Sequence, residues 1–205
     1  MKADRIIFAT CNEGKMKEIR MILADMKLPI QSMKEADIHI DIEENGQSFE
    51  ENALIKARAV ATAAQQKGIQ AVVLADDSGL EIDYLNKEPG VYSARYMGHD
   101  TSYDIKNQAI IDRLAGVEDK DRTARFVCAM AAVFPDGRHF TTRGTMEGII
   151  AHEIKGANGF GYDPIVYLPQ YGKTSAELTP EEKNKISHRG EALEKLKAQL
   201  AQYLN

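Results

Sequence analysis

The chain has 205 residues, of which 43% are hydrophobic, and this is enough to bury the core of one domain. Its formal net charge of -5 argues against a general nucleic-acid binder, because non-specific affinity comes from neutralising phosphates. No apolar run reaches the length of a membrane span, and the N-terminal stretch lacks the apolar core of a signal peptide. We therefore expect a single domain over residues 1–205 that binds neither nucleic acid nor a membrane.

The two cysteines, Cys11 and Cys128, lie far apart in the chain and have none of the spacings of a zinc site. Sparse, unpaired cysteines are typical of a reducing compartment. We therefore expect the protein to be cytoplasmic.

The first half of the chain alternates predicted strands and helices. Residues 5–10 form a short apolar run that predicts a buried strand, and apolar residues at helical spacing over 16–26 predict a helix. Residues 36–42 alternate between apolar and polar side chains, which predicts a second strand. A helix is predicted over 48–68, because Ser48 and Glu51 have the spacing of a capping box and Gly68 closes it. Residues 71–75 predict a buried strand that ends at an acidic pair.

The second half predicts a hairpin followed by helices. Two long strands over 124–134 and 138–150 are joined by a turn at Pro-Asp-Gly. Thr179, Pro180 and Glu182 together predict the start of a helix, and an amphipathic helix follows over 187–204. The whole pattern favours an α/β fold in which a mixed sheet lies between helices.

Residues 10–15, TCNEGK, connect the first strand to the first helix, where backbone N–H groups and the helix dipole favour an anion. The stretch is not a P-loop, since Ala9 and Met16 replace the glycine and the hydroxyl residue that the motif requires. The alternative is that Thr10 or Asn12 only caps the helix and Lys15 is solvated.

Two acidic stretches are candidates for chemistry. Asp76 and Asp77 follow a buried strand, and their side chains should point in opposite directions, so we expect one to face a metal or water; an ordinary turn is the alternative. Glu44 lies on a loop, where it is better able to reach a metal than Glu50 and Glu51, which are explained by the helix dipole. Magnesium takes one or two carboxylates plus phosphates and water.

Two later stretches are candidates for binding a base. Phe160 lies in a glycine-rich loop, GANGFGYDP, where it either forms a platform for a flat base or fills the core. Lys183, His188 and Arg189 gather near the junction of two helices, where they either contact a ligand or lie on the surface.

Five ordered segments resemble the inosine triphosphatase-like pyrophosphatases of non-canonical purine nucleotides, the bacterial members especially. They are ATCNEGKMKEI, ENALIKA, LADDSGLEIDYLNKEPGVYSARY, GFGYDPIVYLP and GKTSAELTPEEKNKISHRGEAL. The resemblance implies an elongated mixed α/β fold with a cleft between two lobes, assembled as a homodimer. It also implies cleavage of ITP, dITP or XTP to the monophosphate and pyrophosphate, which would cleanse the nucleotide pool.

The resemblance further implies the roles of individual residues. Asp77 would be catalytic and, with Glu44, would bind Mg²⁺. The residues implied to bind the substrate are Thr10, Cys11, Asn12, Glu13, Gly14, Lys15, Lys56, Ser78, Phe160, Gly161, Tyr162, Asp163, Lys183, His188 and Arg189. The alternatives are a nucleotide-binding sensor without turnover and a pyrophosphatase of other modified nucleotides.

Overall fold

The structure is a computed structural model that describes residues 3–204, with residues 14, 18 and 204 described by their backbone alone. Seven strands lie within this range: β1 (Arg5–Phe8), β2 (Ile30–Ser32), β3 (Ala71–Ile82), β4 (Thr123–Val133), β5 (His139–Ile150), β6 (Val166–Leu168) and β7 (Lys173–Thr174). The α-helices of the same range are α1 (Glu13–Ile22), α2 (Phe49–Gln66), α3 (Tyr103–Arg113), α4 (Pro180–Ile186) and α5 (His188–Leu204). No helix in the described part of the chain is long and apolar enough to cross a membrane.

All seven strands belong to one sheet in the order β2-β1-β3-β4-β5-β6-β7. β1 pairs in parallel with both β2 and β3, whereas β6 is antiparallel to β5 and to β7. The predicted α/β fold with a mixed sheet is therefore confirmed. The described residues divide into two compact units, the first within Met1–Asp77, Cys128–Gly144 and Glu191–Asn205, and the second within Ser78–Val127 and Thr145–Gly190.

In the first unit, side chains along β1 and β3 alternate between the two faces of the sheet, and one face packs against α1 and α5. Ile6, Phe8, Val72 and Leu74 join one buried cluster, which also contains apolar residues of α1 and α5. Residues of the opposite parity, such as Val73, face the other side of the sheet.

The second unit has a core of its own, built by β3, β4, β5 and α3. Its buried cluster includes Leu80, Ile110, Phe126 and Ile165. Arg122 is also buried there, at 1% exposure, because its guanidinium donates to the carbonyls of Leu114 and Ile150. Burial lowers the pKa of this guanidinium.

Several predicted helix starts are confirmed by their capping contacts. Asn12 accepts a hydrogen bond from the N–H of Lys15 at 3.1 Å, and Ser48 accepts one from Glu51 at the same distance. Thr179 and Glu182 form a complete capping box. These contacts join residues three apart in the chain, so the sequence alone contains their pattern.

The predicted strand over residues 36–42 is wrong. The edge of the sheet beside β1 is taken by β2, with Ile6 opposite Ile30. Residues 36–42 lie outside every strand of the described range, although Ile38 is buried and His39 is exposed. The alternation over 36–42 therefore indicates which side chains are buried, and it does not indicate pairing in a sheet.

Candidate active site

Asp76 and Asp77 lie inside β3, so the prediction that the strand ends at this pair is wrong. β1 stops pairing at Phe8, opposite Leu74, while β3 continues to Ile82. The pair therefore lies just past the end of β1, beside the loop that leads into α1. The expected opposite orientation of the two carboxylates is observed: Asp76 contacts Lys15 of α1, and Asp77 contacts Asn52 of α2.

Lys15 and Asp76 form a close ion pair. The Nζ atom of Lys15 lies 2.8 Å from Oδ2 and 3.0 Å from Oδ1 of Asp76. Asp76 is almost fully buried, whereas 30% of the Lys15 side chain is exposed. The cation therefore holds a buried carboxylate while its own surface stays accessible, so the solvated alternative for Lys15 does not describe this structure.

A second lysine joins β3 to the loop that carries Glu44. Lys56 Nζ donates to the backbone carbonyl of Asp76 at 2.9 Å and lies 3.1 Å from Oε1 of Glu44. The Lys56 side chain is 15% exposed. Lys15 and Lys56 thus connect the Asp76 and Glu44 carboxylates around residue 76, and Asp77 is the next residue of β3.

The loop between β1 and α1 has the helix-capping geometry that was the alternative to anion binding. The N–H of Asn12 donates to the Thr10 hydroxyl at 3.1 Å, and the Asn12 side chain caps α1. Cys11 and Glu13 are exposed, and the backbone of Gly14 lies in the first turn of α1. Capping and anion binding are compatible, because the helix dipole still points at this loop.

Asn52 was not among the predicted site residues. It is 1% exposed, donates from Nδ2 to Asp77 Oδ2 at 3.0 Å, and accepts from the N–H of Gly46 at 2.8 Å. An asparagine within the first turn of an alanine-rich helix was the available signal, but its long-range partner is not visible in the sequence.

In the second unit, Phe160 is 71% exposed, so the alternative that it fills the core is wrong. Asp163, by contrast, is 2% exposed and organises the loop from within. Its Oδ2 accepts from the N–H of Phe160 at 2.8 Å and from Lys183 at 2.6 Å, and its Oδ1 accepts from the Ser175 hydroxyl at 2.8 Å. Buried charge is stabilised here by three donors.

Gly161 and Tyr162 anchor the same loop. The carbonyl of Gly161 accepts from Asn107 at 3.1 Å, and the buried Tyr162 hydroxyl donates to the carbonyl of Ser93 at 2.7 Å. Burial raises the pKa of Tyr162 above its ordinary value. Gly161 therefore anchors the loop through its backbone carbonyl and Tyr162 through its side-chain hydroxyl, both within the second unit.

The three basic residues predicted near the helix junction have different surroundings. Lys183 Nζ lies 5.4 Å from the centre of the Phe160 ring, in a cation–π arrangement. His188 is 9% exposed and stacks on Phe126, with ring centres 5.2 Å apart. Arg189 is half-buried in the first turn of α5, and Ser78 is half-buried in β3. The surface alternative is therefore wrong for His188.

The structure thus brings Lys15, Glu44, Lys56 and Asp76 together in the first unit, and Asp77 follows Asp76 in β3 with Asn52 as its partner. In the second unit it brings together Phe160, Asp163 and Lys183. The first set contains two part-exposed lysines that are suited to an anion, and the second contains an exposed aromatic ring that is suited to a flat base.

Comparison with known proteins agrees with the predicted resemblance. A family model described as the Ham1 family matches residues 6–199. A dITP/XTP pyrophosphatase of Clostridium perfringens is 47% identical over 197 residues, covering 96% of this chain and 97% of its own. One from Bacillus subtilis is 48% identical over 190 residues, covering 93% of each chain.

A solved structure described as the Staphylococcus aureus Ham1 protein superposes with a TM-score of 0.87 at 40% identity, covering 97% of this chain and 99% of that one. The fold and the sequence therefore point to the same family. The resemblance predicted from the five ordered segments is confirmed, and the chain belongs to the Ham1 family.

Proposed function

We propose that this protein hydrolyses non-canonical purine nucleoside triphosphates, namely ITP, dITP and XTP, to the monophosphate and pyrophosphate. The observation that carries the proposal is the near full-length identity of 47% to a dITP/XTP pyrophosphatase. The network around Asp76 and Asp77 supports it, because it combines carboxylates with two lysines that are suited to phosphates.

In the first unit, we assign phosphate binding to residues 10–15 and to Lys56. The loop offers the N-terminal end of α1 and the hydroxyl of Thr10, and Lys15 adds an accessible positive charge. Lys56 supplies a second charge beside the backbone of Asp76. A triphosphate carries several negative charges, and these groups would offset them.

Glu44 and Asp77 are the residues that would hold Mg²⁺. Among the described residues there is no group of three His, Cys, Asp or Glu side chains able to enclose a metal by itself. The two carboxylates of Glu44 and Asp77 fit magnesium, which is commonly held by one or two carboxylates together with substrate phosphates. When bound, the ion would neutralise charge on the phosphate oxygens.

Asp77 is the proposed general base. It would orient a water and accept its proton as the water oxygen attacks the α-phosphorus, and pyrophosphate would leave. Lys15 and Lys56 would stabilise the charge that develops on the departing phosphates. Positioning and electrostatics supply most of the acceleration in phosphoryl chemistry.

The second unit supplies the proposed nucleoside contacts. The exposed ring of Phe160 would stack on the base, while Lys183 and His188 would contact the base or the phosphates. Arg189 would donate to O6 of hypoxanthine or xanthine. Adenine carries an amino group at that position, which would face the Arg donor without pairing.

Two further parts of the proposal concern organisation. We propose that residues 1–205 act as one domain, of which residues 1, 2 and 205 lie outside the described range, and that the protein is a cytoplasmic homodimer. Gel filtration with light scattering tests the dimer directly, and a monomeric mass at working concentration would refute it.

The activity is tested by a panel of ITP, dITP, XTP, GTP, ATP and dUTP with and without magnesium, with pyrophosphate and orthophosphate measured separately. We expect pyrophosphate from ITP, dITP and XTP, little from ATP or GTP, and loss of turnover without the metal. Orthophosphate as the first product would move the cut to the γ-phosphate and refute the mechanism.

An Asp77→Asn variant tests the proposed role of Asp77 as general base. We expect it to fold and to lose at least about a hundredfold in turnover, the low end for a general base.

Tight binding of ITP by the wild type without turnover would favour the sensor, and preferential cleavage of dUTP would favour a pyrophosphatase of other nucleotides.

A further inference from the structure

Asn52 is buried between the carboxylate of Asp77 and the loop at Gly46, two residues after Glu44. Its amide makes two hydrogen bonds in opposite directions, to Asp77 Oδ2 at 3.0 Å and from the N–H of Gly46 at 2.8 Å. Since a backbone N–H can only donate, Oδ1 must face Gly46 and the NH₂ group must face Asp77. The orientation of the amide is therefore determined by its partners.

The contact with Gly46 allows no extra atom. A Cβ at this position would lie 2.7 Å from Asn52 Oδ1 and 2.8 Å from Glu51 Cβ, both closer than real Cβ contacts. The chain therefore reaches the Asn52 amide only because residue 46 is a glycine. The same segment is held a second time by the N–H of Gln47, which donates to Glu51 Oε2 at 2.7 Å.

We infer that Asn52 is a positioning residue that fixes the carboxylate of Asp77 relative to the loop carrying Glu44. The inference rests on the proposed function, since it gives Asn52 a role in the reaction assigned to Asp77. Glu44 lies two residues before Gly46 and is also held by Lys56 at 3.1 Å, so the loop is attached to α2 at Glu44 and again at Gly46. Asn52 acts through these groups and not on the substrate.

Substitutions at Asn52 separate its two hydrogen bonds. Asn52→Asp keeps an acceptor for Gly46 but places an oxygen, in place of the donor, against Asp77. Asn52→Ala removes both contacts, and Gly46→Ala displaces the loop while leaving the amide in place. We expect all three variants to lose about 10- to 100-fold in kcat for dITP, because small displacements of reacting groups have effects of this size. The KM for dITP should change little, since the substrate contacts are retained.

The matched control is Val60→Ala, a fully buried apolar residue of the same helix. It removes packing from α2 and leaves the contacts of Asn52 intact. We expect Val60→Ala to lower the urea midpoint while it keeps the wild-type kcat. If Asn52→Ala lost no more kcat than Val60→Ala at similar stability, or if it raised KM with kcat unchanged, the positioning role would be wrong.

A measurement without substrate separates this inference from the proposed function. The side-chain amide signal of Asn52, assigned by its absence in Asn52→Asp, should move in the NMR spectrum of Asp77→Asn and stay in place in Asp104→Asn, which changes an exposed carboxylate of α3. Should the wild type release no pyrophosphate, the proposed function would fall, and this spectrum alone would decide the inference. An unmoved signal in Asp77→Asn would overturn it.

Discussion

The Nζ atom of Lys15 lies within hydrogen-bond distance of both carboxylate oxygens of Asp76, at 2.8 and 3.0 Å, although the two residues are 61 positions apart in the chain. The carboxylate is buried at 2% exposure and the lysine is not. Because only the carboxylate is buried, removing the lysine should destabilise the fold more than removing the carboxylate charge.

We expect Lys15→Met to lower the free energy of unfolding by about 1–3 kcal/mol, because a buried carboxylate loses its cation. Adding Asp76→Asn to Lys15→Met should recover part of this loss, since the residue at 76 no longer carries a charge. Urea denaturation of the wild type, both single variants and the double variant measures the coupling. Strictly additive effects would show that the ion pair does not stabilise the fold.

Phe160 offers a separate test of base binding, because its ring is 71% exposed. We expect Phe160→Leu to leave the melting temperature unchanged and to raise KM for dITP by about 5- to 150-fold, which corresponds to the 1–3 kcal/mol of a base–aromatic stack. Tyr84→Leu is the control, since it removes another exposed aromatic ring of the second unit. Equal KM values for both variants and the wild type would rule out stacking on Phe160.

Arg189 is the proposed donor to O6, and its removal should affect the choice between bases. We expect Arg189→Ala to reduce the ratio of kcat/KM for ITP over ATP by about 5- to 150-fold, the range for an unpaired buried polar group of 1–3 kcal/mol. Binding of free triphosphate should change less. Lys185→Ala, which removes an exposed cation of α4, should keep the wild-type ratio. An unchanged ratio in Arg189→Ala would assign the selection to other groups.

Asp83 provides a pH test of stability in the second unit. Hydrogen bonds from Arg125, at 2.9 and 3.0 Å, hold the pKa of this carboxyl well below its usual value of 3.8. A lowered folded-state pKa means that the ionised group stabilises the fold above the unfolded-state pKa, and that this contribution is lost as pH falls towards the folded-state pKa. The pair is part-buried, so the effect is screened less than at the surface.

We therefore expect Asp83→Asn to lower the free energy of unfolding, with the full effect present at pH 7. The difference in free energy of unfolding from the wild type should shrink progressively below about pH 4. Urea denaturation of both proteins at pH 7, 5, 4 and 3 measures it. Asp104→Asn, in which an exposed carboxylate of α3 is changed, serves as the control. A difference between Asp83→Asn and the wild type that stays constant down to pH 3 would contradict the assignment of the shift to Arg125.

The sequence by itself determined the features that depend on near neighbours. The capping contacts of Asn12, Ser48 and Thr179 join residues three apart, and the turn at 134–138 joins β4 directly to β5. The ordered segments also identified the family, because together they extend over most of the chain. Local hydrogen bonding and side-chain periodicity contain this information without a tertiary structure.

Only the tertiary structure decided which distant groups meet. The alternation at 36–42 does not reveal that Ile30–Ser32 occupies the neighbouring edge of β1, because a pattern of burial is the same with or without a pairing strand. Nor does the sequence place Asn52 against Asp77 or Lys15 against Asp76. Those contacts follow from the two faces of β3, which direct adjacent aspartates to different helices once the sheet and its helices have packed.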